Sequence, residues 1–364
     1  MFDPATNTLT STVAMQYARW YPSIVSMPSG DKVVLGGRLT PLSAAITPEV
    51  FNPQTGWRTL TGAASNLAFG MLTGPNWYYP RGYVARGGFV FILAPDGTMW
   101  SLDPTGQGVL SQFTSVATAS GKDLPMVMYA PGQILAVREN ASAITVGING
   151  PTPVIAATGY LGQHRSWANA TVLSDGKVVV TGGSAVLNTL TGVAYQNETW
   201  DPTTGQWTLG AVATKPRLYH STALLLPDGS VLTAGGGAPG PVKELNAEIY
   251  YPPYLYLKDG SGQPAPRPTI VASPGDVALG AAFQATVGPR DQIAKVTMAR
   301  LGSVTHSANI DQRLLQLRFA QVGPTLNLSV SSDPTVMIPG HYMMFAINKA
   351  GVPSVAAIVR VDAR

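Results

Sequence analysis

Two adjacent side chains that can bind a metal ion, Tyr219 and His220, open the stretch of this chain with the clearest chemical potential. Histidine is scarce elsewhere, and the four histidines of the chain are His164, His220, His306 and His341. Their spacing matches neither a His-x-His pair, nor a His-Glu-x-x-His motif, nor a carboxylate-rich calcium loop. Taken singly, each histidine is therefore more consistent with a structural role than with metal binding.

Composition excludes several other kinds of chemistry. The 364 residues contain no cysteine, which excludes disulfides, thiolate metal sites and cysteine nucleophiles within them. The sequence shows no nucleophile elbow for Ser-His-Asp catalysis, and no helical pattern follows the glycine cluster at 235–237, so that cluster is no phosphate cradle. The net charge of +4 is scattered rather than gathered in a basic run. We therefore expect no nucleic-acid partner and no membrane partner.

The residues after Tyr219 and His220 have the sequence pattern of a β-hairpin. An apolar run from 223 to 226 leads into Pro227-Asp228-Gly229, and a second apolar run ends in the glycine cluster. This pattern places Tyr219 and His220 at the start of the first strand. Because neighbouring strand residues point to opposite faces, the two side chains converge on one ion only at a strand end or a kink.

The hairpin is one copy of a repeat that predicts the fold. The stretches 21–37 and 167–183 match 219–237, and a second element, with a Pro-centred turn and a Trp-led strand, recurs at 50–57 and 199–207. Together these elements predict four-stranded units of the length of a kelch-type blade. We count five units, which close radially into a propeller. They span about 16–62, 75–115, 120–158, 163–210 and 215–256.

The two ends of the chain differ from this repeat. Residues 2–9 copy the end-of-blade element, which predicts a propeller that is incomplete at its N-terminus and has an exposed strand edge. No signal peptide is visible at the N-terminus. A Pro- and Gly-rich linker at 258–268 precedes alternating runs at 283–287, 295–301 and 326–330. We predict an all-β chain with a propeller at 1–257 and an immunoglobulin-like β-sandwich at 258–364.

Several segments resemble galactose oxidase and glyoxal oxidase, which are copper-radical oxidases. The segment 302–313 resembles the copper-ligand segment of this family, and 217–237 resembles its Tyr-His segment. The segment 18–21, followed by the first double glycine, resembles the one that carries the radical tyrosine. The segments 339–345 and 350–354 are similar to the C-terminal strand pair of the family. The resemblance runs in the same order over nearly the whole chain.

The resemblance implies a site that binds one copper ion through four residues: Tyr21, Tyr219, His220 and His306. His220 and His306 would be equatorial ligands, and His306 would lie on a loop of the C-terminal domain. Tyr219 would be the axial ligand and the base for the substrate hydroxyl, and Tyr21 would carry the radical. Imidazole and phenolate ligands suit copper(II).

The implied reaction is the oxidation of a primary alcohol or aldehyde by O2, with release of hydrogen peroxide. The partners would be a small-molecule alcohol, aldehyde or carbohydrate and O2. The resemblance also implies an extracellular or cell-envelope location, and we expect a monomer.

The sequence departs from the family in one chemically important respect. The radical tyrosine of the family is joined by a thioether to a cysteine that lies upstream, and this cysteine-free chain cannot form that crosslink. One explanation is a fragment, or a misplaced start, of a complete enzyme. The other is a cysteine-free relative without radical chemistry, which would make the chain a non-catalytic propeller module that binds copper, a glycan or a protein.

For a few further residues, a functional role is weaker than a structural one. The interpretation we favour for His164 is structural rather than a role at the site, and for His341 it is a core or surface position. Arg165 could contact substrate, although a surface arginine is the plainer interpretation. Trp20 and Trp167 could cover the tyrosine, although tryptophan usually belongs to the core.

Overall fold

The computed structural model describes residues 2–3, 5–119 and 121–363. Almost all regular structure in these residues is β, and the longest helical element is the four-residue α-helix Asn66–Phe69. No helix among the described residues is long and apolar enough to cross a membrane. The short 3-10 turns are Thr61–Ala63, Arg86–Gly88, Glu139–Ala141 and Pro253–Leu255. The predicted all-β class is confirmed.

The chain divides into two compact units, and the first comprises residues 1–84 and 88–116. It holds two four-stranded antiparallel meanders, sheet 1 and sheet 2. The unit also contains two separate two-stranded sheets. One pairs Phe2–Asp3 with Thr8–Leu9, and the other pairs Arg38–Thr40 with Ser43–Ala44. The strands of sheet 1 are Ser23–Ser26, Lys32–Leu35, Glu49–Asn52 and Gly56–Thr59, and those of sheet 2 are Arg81–Val84, Val90–Leu93, Thr98–Asp103 and Val109–Val116.

The second unit comprises residues 85–87 and 117–364 and begins with three further meanders. Sheet 3 is Met126–Ala130, Gln133–Val137, Ala143–Gly147 and Val154–Thr158, and sheet 4 is Asn169–Val172, Val178–Thr181, Gln196–Trp200 and Trp207–Val212. Sheet 5 is Thr222–Leu225, Val231–Ala234 and Ala247–Tyr250. The five predicted repeat units therefore correspond to five separate sheets.

Sheet 5 corrects the prediction of four strands in every unit, because it has three strands among the described residues. The chain leaves the third strand at Tyr250 and soon meets Pro252 and Pro253. Proline has no N–H for a ladder hydrogen bond and fixes φ, so the segment turns into the 3-10 turn Pro253–Leu255 instead.

The C-terminal part of the second unit is an eight-stranded arrangement with its own buried apolar core. Leu314–Val322 pairs with Ile293–Arg300 through its first half and with Thr325–Ser329 through its second half. This shared strand joins two layers and makes the domain a sandwich. The other strands are Ile270–Ala272, Asp276–Ala278, Ala282–Val287, Gly340–Asn348 and Ala357–Asp362. The domain boundary at 257/258 stays a prediction.

One hairpin of the C-terminal part belongs to a meander sheet. Val304–Thr305 pairs with Ala308–Asn309, and Ala308–Asn309 pairs in parallel with the first strand of sheet 3. Sheet 3 therefore has six strands rather than four. The backbone hydrogen bonds of this pairing fix the hairpin against the meander.

A buried arginine that pairs with a glutamate recurs in sheets 1, 4 and 5. The pairs are Arg19–Glu49 at 2.8 Å, Arg165–Glu198 at 2.6 Å and Arg217–Glu248 at 3.0 Å. In each case the guanidinium also donates to the carbonyl of the first residue of the glycine cluster: Gly36, Gly182 or Gly235. The three arginine side chains are almost completely buried, so the paired charges and carbonyls replace the water they lose.

The glutamate of each pair also accepts a hydrogen bond from the backbone just before its arginine. Its second oxygen accepts a backbone N–H three residues before the arginine, from Gln16, Gly162 or Thr214. The glycines make the close approach of the arginine possible. A Cβ at Gly183, where φ is +89°, would lie 3.0 Å from the Cβ of Arg165.

We predict that Glu198→Gln destabilises the second unit by about 3 kcal/mol, because it leaves the buried Arg165 without its counter-charge. Urea unfolding followed by far-UV circular dichroism measures this loss. Glu139→Gln is the control, because that side chain is half exposed and should cost little. The double variant Arg165→Met/Glu198→Leu should cost less than Glu198→Gln alone; a single variant as stable as the control would contradict the prediction.

Candidate metal centre

Tyr219 and His220 lie in the turn that precedes sheet 5, because the first strand begins at Thr222. His220 has a φ of +66°, in the left-handed region that non-glycine residues rarely adopt. This kink turns the two neighbouring side chains toward the same side, and their ring centroids lie 3.8 Å apart. The structure thus provides the kink that the sequence required for the two side chains to converge.

His306 lies at the tip of the hairpin that joins sheet 3. Thr305 pairs with Ala308, so His306 and Ser307 are the two turn residues, with φ of +48° and +63°. Two positive φ values define a type I′ turn, for which Asn-Gly is the favoured sequence. A histidine and a serine here hold a strained backbone, and strain of this kind concentrates at functional sites.

Two buried amides hold this hairpin against sheet 4. The side chain of Gln312 bonds both backbone groups of Val172, accepting at 2.9 Å and donating at 3.1 Å. Asn309 donates to the Ala170 carbonyl at 3.3 Å and to Gln312 at 2.8 Å. Sheet 4 is in turn connected to the Tyr-His turn, because Asn169 donates to the Ser221 hydroxyl at 2.9 Å.

These connections bring three predicted site residues together. The ring centroid of His306 lies 4.7 Å from that of His220 and 5.1 Å from that of Tyr219. His306 is buried and His220 is exposed, so the cluster is accessible from the His220 side. No group of three or more His, Cys, Asp or Glu lies together in the described part of the chain. Phenol oxygens are therefore the natural complement to the two imidazoles.

The Nδ1 atoms of both histidines have hydrogen-bond partners. His220 Nδ1 lies 3.1 Å from the Ala238 carbonyl oxygen, which can only accept, so Nδ1 carries the proton and Nε2 the lone pair. His306 Nδ1 lies 2.6 Å from the Thr305 hydroxyl, which leaves Nε2 as the nitrogen that would hold a metal. When one ring nitrogen of a histidine binds a metal, the other nitrogen usually has a hydrogen-bond partner that fixes the ring orientation.

Trp167 packs against Tyr219. Its buried ring lies 4.5 Å from the Tyr219 ring and 6.4 Å from the His306 ring. Trp167 has a φ of +63° and stands two residues after Arg165, as Tyr219 stands two residues after Arg217. The arginine–glutamate pair therefore precedes an aromatic residue by the same spacing in both sheets.

Tyr21 belongs to the first unit and stands two residues after Arg19. It has a φ of +64° and lies in a cluster of aromatic rings. Trp20 stacks on it at 4.0 Å and Tyr79 at 5.2 Å, while Tyr78 contacts it edge-on at 5.1 Å. Trp20 thus covers Tyr21, one of the alternatives that the sequence left open.

The remaining sequence candidates lie outside this cluster. His164 contacts the Ser166 hydroxyl at 3.0 Å, and His341 is exposed on a strand of the sandwich. For Arg165, both interpretations from sequence were wrong. It is neither a surface arginine nor a substrate contact, because its guanidinium is buried and paired with Glu198.

Thr305 and the arginine–glutamate pairs were not predicted from the sequence, and the tyrosine that Trp167 would cover was left unspecified. An Arg-x-Tyr or Arg-x-Trp pattern at residues 19, 165 and 217, with a glutamate about thirty residues later, was the available signal. The contact between Trp167 and Tyr219 had no such signal, because it joins neighbouring sheets.

Comparisons with known proteins agree with this architecture. Residues 267–361 match the galactose oxidase-like early set domain. A galactose oxidase of Gibberella zeae is 29% identical over 99% of this chain, which spans 57% of the length of that protein. The aldehyde oxidase GLOX1 of Arabidopsis thaliana is 25% identical over 96% of this chain and 64% of its own length.

A solved structure extends the comparison to three dimensions. A fungal alcohol oxidase of the AA5 family, in complex with copper, is 30% identical to this chain, with a TM-score of 0.85. The alignment covers 95% of this chain and 76% of the oxidase. The chain belongs to the galactose oxidase and glyoxal oxidase family. The resemblance read from its motifs is confirmed, as is the fold class of propeller-type sheets followed by an immunoglobulin-like domain.

We predict that Ser307→Gly stabilises the second unit by about 1 kcal/mol, because glycine adopts the positive φ of this position without strain. The change also removes a buried hydroxyl that has no hydrogen-bond partner among the described residues. Thermal or urea unfolding measures the gain. Ser329→Gly, in the strand Thr325–Ser329, is the matched control and should destabilise; a loss of stability in both variants would contradict strain at the hairpin tip.

Proposed function

We propose that this protein binds one copper ion through His220, His306, Tyr219 and Tyr21, and oxidises a primary alcohol or aldehyde with O2. One observation carries the proposal: the adjacent Tyr219 and His220 meet the distant His306 within 5.1 Å, measured between ring centroids. Membership of the family supports the chemistry. An extracellular or cell-envelope location is inferred from the family alone.

The spacing of the two imidazoles fits a single ion. An imidazole nitrogen binds a transition metal at about 2.0–2.1 Å, which puts the ion roughly 3 Å from the ring centroid. Two rings in adjacent positions around one ion would therefore have centroids roughly 4–5 Å apart. His220 and His306 lie 4.7 Å apart, and their Nδ1 atoms are already engaged. Imidazole with phenolate is a donor set that copper(II) accepts.

The residues divide the work of the reaction. Copper, when bound, supplies one-electron redox chemistry and polarises a substrate oxygen. His220 and His306 would bind through Nε2, and the Tyr219 oxygen, as the phenolate, would take the proton of the substrate hydroxyl. Trp167 excludes water from one face of Tyr219. An alcohol loses two electrons and two protons to become an aldehyde, and O2 receives them as hydrogen peroxide.

Tyr21 would supply the second one-electron site. Rings stacked on Tyr21 surround it with apolar, polarisable surface, with Trp20 closest at 4.0 Å. The family stabilises the equivalent tyrosine through a thioether, which these 364 residues cannot form because they contain no cysteine. That difference favours a second candidate function, a module that binds copper, a glycan or a protein without oxidising a substrate.

We expect His306→Ala and His220→Ala to weaken copper(II) binding at least about a hundredfold, because each removes an imidazole ligand. Isothermal titration of the metal-free chain measures stoichiometry and affinity. His341→Ala removes an exposed histidine of the sandwich and should leave one tight site. The melting temperature of the metal-free His306→Ala variant should be nearly unchanged. Equal copper affinity in the His306 and His341 variants would eliminate the site.

The copper-loaded chain should release one hydrogen peroxide per aldehyde formed from a primary alcohol. Tyr219→Phe should lower kcat by about a hundredfold or more while copper stays bound, because it removes the proton acceptor. Tyr160→Phe, which alters an exposed tyrosine, is the control. Tight copper binding with no peroxide from any alcohol or aldehyde would select the binding module over the oxidase.

A further inference from the structure

A cavity lies at the far end of sheet 4 from Tyr219 and His306. The strand Asn169–Val172 begins two residues after Trp167 and runs to the turn at Asp175, which lines this cavity. Its volume is about 530 Å³, enough for a small organic molecule. It lies where the turns of sheet 4, the 3-10 turn after sheet 5 and the sandwich meet.

Four lysines line this cavity, from four separate segments of the second unit: Lys177, Lys258, Lys295 and Lys349. Lys177 and Lys295 are partly buried, whereas Lys258 and Lys349 are exposed at the rim. Lysines are 8 of the 364 residues, so four around one opening form a marked concentration of positive charge.

Acidic groups offset only part of this charge. Lys177 pairs with Asp201 at 3.2 Å, but no carboxylate among the described residues lies within salt-bridge distance of Lys258, Lys295 or Lys349. Lys295 donates to the Asp175 backbone carbonyl at 3.2 Å, and Lys349 to the Gln292 side chain at 2.7 Å. Both keep further N–H groups for a ligand, because an ammonium has three donors.

Among the described residues, Asp175 is the one carboxyl in the wall of the cavity. Its burial raises the pKa of that carboxyl, although Lys177 and Lys295 act in the opposite direction. Two carboxylates, Asp175 and Asp201, face four ammonium groups, so the region keeps a positive balance. Like charges around one opening repel one another, and an anion among them would relieve that repulsion.

The other walls of the cavity are suited to an organic framework. Tyr250 and Tyr254 line it beside Leu173 and Ile347. The Tyr254 hydroxyl donates to the Gly229 carbonyl, which fixes its ring as part of the wall. Apolar walls with a few convergent charged groups are typical of small-molecule sites.

We propose that this cavity binds a small polyvalent oxyanion, a molecule that carries several carboxylate, phosphate or sulfate groups. The lysine ammonium groups would pair with the oxyanion groups, and the tyrosine and aliphatic walls would contact its carbon framework. The site is independent of the copper centre and does not require the proposed oxidation.

Calorimetric titration of the full metal-free chain with citrate, pyrophosphate and sulfate tests this site, with ionic strength held constant by sodium chloride. We expect one anion per chain, a dissociation constant below about 1 mM for at least one probe, and weaker binding at higher ionic strength. The order of the three probes identifies the preferred class of oxyanion. No saturable binding of any probe would overturn the proposal.

Variants at the rim locate the site. Lys258→Gln/Lys349→Gln changes exposed side chains and should weaken binding of the best probe about tenfold or more, because it removes charge-assisted hydrogen bonds. Lys215→Gln, an exposed lysine outside this cavity, should leave the affinity unchanged. His306→Ala should also leave it unchanged. Equal weakening by the rim and Lys215 variants would reduce the effect to net charge and overturn the site.

Discussion

The pairing of a buried arginine with a glutamate is the interaction on which the candidate centre depends. In sheets 1, 4 and 5 the arginine holds the carbonyl that opens a glycine cluster, and the glutamate holds the chain three residues before the arginine. The chain is thereby fixed on both sides of a tight turn. Two residues after each arginine stands an aromatic side chain: Tyr21, Trp167 or Tyr219. The same arginine–glutamate arrangement, repeated three times, thus positions two candidate ligands, Tyr21 and Tyr219, and the ring of Trp167, which packs against Tyr219.

The segment that carries His306 comes from the C-terminal part of the chain and is held by different contacts. The hairpin Val304–Asn309 extends sheet 3, and buried amides of Asn309 and Gln312 hold it against sheet 4. The tip has positive φ at both His306 and Ser307, so its backbone is held by the surrounding contacts rather than by its own preference. His306 reaches Tyr219 and His220 because two sheets and the sandwich fix it jointly. The free energy of metal binding at this tip would offset part of the backbone strain.

Much of this architecture could be predicted from sequence, for physical reasons. Turn residues such as Pro227-Asp228-Gly229 and double glycines act locally, so the five sheets appeared in the sequence as repeats. The Tyr219–His220 pair needed a kink, and the structure provides one at His220. The membership of Ala308–Asn309 in sheet 3 was out of reach, because pairing across some 180 residues leaves no local pattern. The burial of Arg165 was also missed, since a charged residue reveals its partner only in three dimensions. The lysine cavity escaped notice for the same reason, because its four lysines are spread over 173 positions.

Electron-nuclear double resonance of the chain loaded with one equivalent of copper(II), prepared with natural and with 15N-labelled histidine, tests the central claim most directly. We expect two strongly coupled nitrogens, both shifted by the histidine label, because His220 and His306 would bind the same ion. A spectrum with a single imidazole nitrogen, or with couplings that ignore the label, would contradict a centre built from these two residues.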